Sequence, residues 1–289
     1  ANISNVAGAI QSSSTATTSI IGSALNNTSG ILSTNAATFN LNLGSGTLTN
    51  RSGSVLHAST GTTTLTANVL DNSGGAFLSQ GRLNWSGFSQ LINNALGGAA
   101  AVLQGDHLEL SGASGAQVQN QGGKLFATGP SSLNLNVGSI NNTGGTLYSV
   151  GNASVSASSL TNSSGSVQSQ KALTLNVNTL DLSSGTINAA NSVTLNTQGN
   201  ITNAAGSTIS SNGSLAINTN GSLTNQGTVS TGEDFAFSGT TLTNAANAVL
   251  KAGRDLVLTL TGGVTVEADS RLTAHQAWFN WVWIYKRCC

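Results

Sequence analysis

Apolar and polar positions alternate in short bursts along most of the chain. Phe39, Leu41 and Leu43 alternate with Asn40 and Asn42, which places the apolar set on one face of a strand. The same alternation recurs at Val193 with Leu195, Leu215 with Ile217, Phe235 with Phe237, and Leu256 with Leu258. Each burst is bounded by Gly, Asn or Ser and is rich in β-branched polar residues, so the pattern predicts strands rather than helices.

The bursts belong to a longer period. Apolar anchors at Ile3, Leu25, Leu48, Leu70, Ile92, Val118, Ile140, Leu160, Leu180, Ile201, Leu223, Leu242 and Val264 define 13 copies with steps of 19 to 26 residues. Asn stands two positions after the anchor at Asn27, Asn50, Asn72, Asn120, Asn142, Asn162 and Asn203, as it does at Asn5, Asn94, Asn225 and Asn244; Leu182 and Val266 break the column. Gly stands five positions after the anchor at Gly30, Gly53, Gly75, Gly123, Gly145, Gly165 and Gly206, as at Gly8, Gly97 and Gly185, shifts by one to Gly227, and gives way to Asn247 and Asp269. A period of this length indicates a solenoid, each copy one coil of a stacked core. The predicted fold is all-β, a right-handed parallel β-helix of about 13 rungs of roughly 20–22 residues, with three short strands per rung.

In such a coil the recurring Asn predicts an amide ladder along the stacking direction, because side-chain amides repeated at roughly 4.8 Å hydrogen-bond to one another. The recurring Gly predicts a sharp turn with left-handed backbone. The stretch from Gly81 to Gly115 is the least regular, with Trp85, Phe88, the longest step and the run Gly97-Gly-Ala-Ala-Ala101; it predicts a loop bulging from one rung. One continuous repeat shaft is expected over 1–275, followed by an aromatic non-repeat tail at 276–289. That tail is either a cap over the last rung or a foreign or truncated end, the second being favoured because no residue there keeps the repeat phase.

Composition narrows the chemistry. Charged residues make up 6% of the chain, nine basic and nine acidic, for a net charge of zero. No basic stripe results, which argues against a nucleic-acid partner. Cys288 and Cys289 are adjacent at the end of the sequence and do not staple the fold. The apolar tail is too short for a membrane span, so no transmembrane segment is expected. Asn-x-Ser/Thr triplets such as those at Asn141 and Asn152 follow from the composition.

Two places concentrate ionisable groups. Glu233-Asp234 and Arg254-Asp255 occupy the same turn of neighbouring copies, which stacking brings within reach as a surface ion pair worth about 0–1 kcal/mol. Asp106, His107 and Glu109 form the other, with His107 and Glu109 expected outside while Leu108 and Leu110 point in. His57 and His275 are far away in rung order, so no third ligand is expected there. No phosphate loop, nucleophile elbow or calcium-binding nonapeptide is present. No catalytic residue, metal or cofactor is therefore predicted, and the rival reading is a β-helical polysaccharide lyase or hydrolase, which needs clustered carboxylates on one strand face.

The phrases Ala252-Gly-Arg-Asp-Leu-Val-Leu258, Ala190-Asn-Ser-Val-Thr-Leu195 and Leu160-Thr-Asn-Ser-Ser-Gly165 resemble the filamentous haemagglutinin repeats of bacterial two-partner-secreted exoproteins. The resemblance covers about residues 3 to 275. It implies a right-handed parallel β-helix exported through an outer-membrane two-partner-secretion transporter and displayed as a secreted or surface-attached adhesin. Host or neighbouring-cell receptors or glycans are the partners it implies. The same rod serves contact-dependent growth inhibition proteins as a delivery stalk, and the residues do not separate that role from adhesion.

Overall fold

The computed structural model describes the backbone of residues 1–130, 132–280 and 284–286, with side chains up to Trp278. No helix occurs among the described residues. The chain is a parallel β-solenoid of about 13 turns, consistent with the right-handed sense. It packs as two compact units, Ala1–Asn152 and Ala153–Cys289.

Most rungs contain a three-residue strand carrying the anchor, a four-residue strand after the turn, and a longer alternating strand; in Arg82–Ile92, His107–Gln119, Ala153–Thr161 and Ala172–Asp181 the alternating strand runs on into the next anchor. In the second rung these are Ala24–Asn26, Ile31–Thr34 and Thr38–Asn42. Strands pair in parallel with their counterparts one rung on, for example Leu32↔Val55 and Leu41↔Leu65. Strict pairing of like with like follows from the side-chain period of two, since a slip of one residue would turn every apolar side chain outward.

In the first unit Leu25, Leu48, Leu70, Leu91, Val118 and Ile140 form one buried column. In the second, Val167, Ile187, Ile209, Val229 and Leu250 form another. Fully burying such a side chain stabilises by about 1.5–3 kcal/mol, and a stack of identical layers gains this at every rung.

The irregular region departs from expectation by one residue. Leu91, not Ile92, pairs with Leu70 and Val118, and Asn93 rather than Asn94 is fully buried. Two register shifts between Ser86 and Gln90 absorb the difference. They let Phe88 lie on Trp85, ring centroids 4.0 Å apart and both rings buried, while the Trp85 Nε1 donates to Ala67 O at 2.9 Å. Gly112 faces Phe88 across the strand pair, and a Cβ there would meet Ala116 and the Phe88 ring. The extruded loop is confined to the segment around Leu96–Ala99, whose ends close on each other, with Gly97 and Gly98 at φ of 58° and 84°.

The expectation for the aromatic tail falls partly outside the described residues, at 281–283 and 287–289. The backbone of Gln276–Asn280 pairs in register with Asp255–Thr259, and Ile284–Lys286 with Val264–Val266. Strand pairing thus continues past residue 275.

Candidate functional surface

The recurring Asn side chains turn inward and bond from rung to rung. In the first unit Asn5, Asn27, Asn50, Asn72, Asn93, Asn120 and Asn142 form an unbroken series, each Nδ2 donating to the next Oδ1 at 2.6–2.8 Å. Each also reaches backbone carbonyls beyond the turn; Asn50 Nδ2 lies 3.1 Å from Ala76 O. From Asn27 to Asn142 these side chains are completely buried, so every bond forms without competition from water.

In the second unit Asn162 donates to Gly165 O and Thr186 O, and Asn203 donates to Asn225, which donates to Asn244. Between them Leu182 occupies the ladder position and is buried. Lacking an amide, it has nothing to donate, and the buried Asn203 Oδ1 is left without a partner.

The glycine column works differently from the expected left-handed turn. Gly30, Gly53, Gly75, Gly123, Gly145 and Gly165 have ordinary φ; the positive φ belongs to the preceding Ser29, Ser52, Gly74, Gly122, Gly144 and Ser164, at 50–64°. What the column requires is space. A Cβ on Gly53 would lie 2.1 Å from Asn27 O, and on Gly145 1.9 Å from Asn120 O. Gly206 does have positive φ, at 80°, as do Asn247 and Asp269 at 63° and 58°. In those rungs the close-approach place passes one residue on, to the buried Ser207, whose hydroxyl bonds Leu182 O, and to the buried Ala248.

A second turn device follows the anchor. Asn26, Asp71, Asn141 and Asp181 each accept, on Oδ1, the backbone N–H and hydroxyl of Thr28, Ser73, Thr143 and Ser183. The Asn-x-Thr triplet at Asn141 is thereby used as turn chemistry.

The ionisable groups sit mainly outside this frame. Arg254 and Asp234 form the expected pair between neighbouring turns, Nε–Oδ1 2.7 Å and Nη2–Oδ2 2.5 Å. The hydrogen bonds from Arg254 hold the Asp234 carboxyl below the usual range, and Asp234 in turn raises the Arg254 guanidinium. Glu233 accepts from Ser214 instead. Burial alone would push Asp71 up, but hydrogen bonds from Ser73 and Arg51 outweigh it and lower the carboxyl.

His107 and Glu109 also meet, at 3.1 Å, although His107 is buried rather than outward. Ser132 N–H donates to His107 Nδ1 at 3.0 Å, which leaves Nε2 to donate to Glu109. Asn134 and Arg82 also bond the same carboxylate oxygen. Burial alone would raise Glu109, but the bonds from Asn134 and His107 and the nearby charges bring it below its ordinary value. Both ring nitrogens of His107 are thereby engaged. His57 is completely buried, between Thr63 Oγ1 at 2.7 Å and Ala36 O at 2.6 Å, in a polar corner that continues to Ser79. Among the described residues no three His, Cys, Asp or Glu side chains are placed to hold a metal ion. No helix among them is long and apolar enough to cross a membrane.

The haemagglutinin repeat family matches residues 91–164, 148–205 and 199–276. No curated protein and no solved structure matches the chain.

Proposed function

The chain belongs to the haemagglutinin repeat family, and from that premise we propose that it is a non-catalytic shaft segment of a filamentous haemagglutinin-like adhesin. The observation that carries the reading is the family match over residues 91–276 on a coil whose interior is filled by its own side chains. The outward carboxylates described above are engaged with neighbouring Arg, Asn and hydroxyl groups rather than converging on one site. Secretion through an outer-membrane transporter and display at the bacterial surface belong to the same proposal. The direct test is release of sugar from a panel of acidic polysaccharides, with and without calcium. No release is expected; reproducible cleavage that disappears on Glu233→Gln or Glu109→Gln would favour the β-helical lyase or hydrolase instead.

A further inference from the structure

The outward positions of the post-turn strands carry Ser, Thr, Asn or Gln over much of the chain, but in the first unit between rungs three and seven apolar and aromatic side chains join them. There one outward column runs Leu56, Leu78, Gln104, Phe126, Tyr148, each paired in register with the next. All five are partly exposed, flanked by buried residues that point the other way. Phe39, Phe77, Trp85, Phe88, Phe235 and Phe237 are buried, so Phe126 and Tyr148 are the only partly exposed Phe, Tyr or Trp rings among the described residues before 276. They meet edge to face, centroids 5.7 Å apart, and the Lys124 ammonium lies 5.8 Å from the Phe126 centroid.

The charge on this face has one sign. None of the seven post-turn strands of the first unit, from Ala9–Ser12 to Thr146–Ser149, contains Asp or Glu. Lys124 is exposed and makes no ion pair among the described residues. Aromatic rings on a flat sheet face, beside a primary amide and an uncompensated cation, suit a ligand with apolar flat faces, hydroxyl edges and negative charge.

We propose that this column is a binding platform for an acidic polysaccharide. The pyranose faces lie on Phe126 and Tyr148, Gln104 bonds sugar hydroxyls, and a sugar acid group pairs with Lys124. Leu56 and Leu78 continue the apolar track along the coil. The platform rests on the adhesive reading and deepens it, because it localises binding to one face of a few rungs.

The test uses the purified full chain with polygalacturonate and, as a neutral control, a galactan, followed by affinity electrophoresis at low and high salt. Wild type is expected to bind polygalacturonate better than galactan, with retardation that weakens as salt screens the charge. Phe126→Ala and Tyr148→Ala are each expected to weaken binding to polygalacturonate by about five- to tenfold. Lys124→Gln is expected to remove the salt dependence and the preference for the acidic polymer. Gln168→Ala, at an outward position of the second unit, is expected to change nothing, and circular dichroism checks that every variant keeps the wild-type fold. Absence of binding to polygalacturonate would overturn the proposal, as would binding indifferent to the two ring variants. A wild-type dimer converted to monomer by Phe126→Ala in sedimentation would also overturn it, assigning the column to self-association. None of those results touches the shaft reading, which falls only on cleavage of the polymer.

Discussion

Asparagine ladders run on two faces of this coil, and their geometry is nearly the same. Inside the first unit Asn27, Asn50 and Asn72 bond at 2.7 Å. Outside the second unit Asn176, Asn196 and Asn218 bond at 2.7 and 2.9 Å, exposed to solvent. Equal distances do not mean equal worth. A buried amide that loses its partner carries the full desolvation cost, about 1–3 kcal/mol, whereas an exposed one finds water. The inward face therefore holds the fold and tolerates little change. The outward face is free to vary, and the Phe126–Tyr148 column is one use of that freedom.

The largest effect expected on the inward face is steric. Gly53→Ala places a methyl against Asn27 O and is expected to cost about 3 kcal/mol or more. The neighbouring Ser52→Gly relieves a φ of 50° and should stay within about 1 kcal/mol of wild type, its relief offset by a looser unfolded chain. Thermal melts of the two variants compare them. Equal losses would mean that turn conformation, not close approach, dictates the column.

A smaller contrast comes from the interrupted ladder. Leu160→Asn buries an amide in an apolar column and is expected to cost about 3 kcal/mol. Leu182→Asn makes the same chemical change where an orphan acceptor, Asn203 Oδ1, waits. The new bonds should offset much of the lost apolar burial and leave stability within about 1 kcal/mol of wild type. Chemical denaturation of the two variants measures the difference, and equal destabilisation would show that the ladder position has no preference for an amide.

Acid should have the mildest effect. Asp71, Glu109 and Asp234 all have folded-state carboxyls below their ordinary values. Their contribution is present above the unfolded carboxylate range, about pH 4, and is lost as pH falls through the lowered values. Asp234 and Arg254 are exposed enough for their pair to contribute little; Asp71 is more buried and should dominate. Asp71→Asn is expected to flatten the fall in melting temperature between pH 5 and pH 2. An acid limb identical to wild type would remove Asp71 from the account.

Much of the fold is legible in the sequence because a stacked coil repeats one physical problem. Anchors, alternating strands and the inward Asn all follow from period and burial, and even the break at Leu182 is visible as a missing amide. Two features are not. The register correction from Ile92 to Leu91 depends on bulges that place Phe88 on Trp85, a packing choice that spacing alone does not reveal. The Gly column is visible, but its cause lies in a carbonyl one rung away, a contact that no local turn rule contains. The outward column at Phe126 and Tyr148 carries a signal that alternation does provide, since Leu125 and Leu147 point inward and fix their neighbours as outward. The paired turn residues, Asn or Asp two places before Thr or Ser, are likewise visible as triplets that otherwise pass for composition.

The most direct test of the division between a face that holds and a face that is free is a denaturant titration of Asn50→Ala beside Asn196→Ala. Removing Asn50 deprives Asn72 Oδ1 of its donor and Asn27 Nδ2 of an acceptor, both buried, and should cost roughly 2–4 kcal/mol. Removing Asn196 breaks two bonds of similar length in water and should cost under about 0.5 kcal/mol. Equal losses, or a larger loss for Asn196→Ala, would contradict the account.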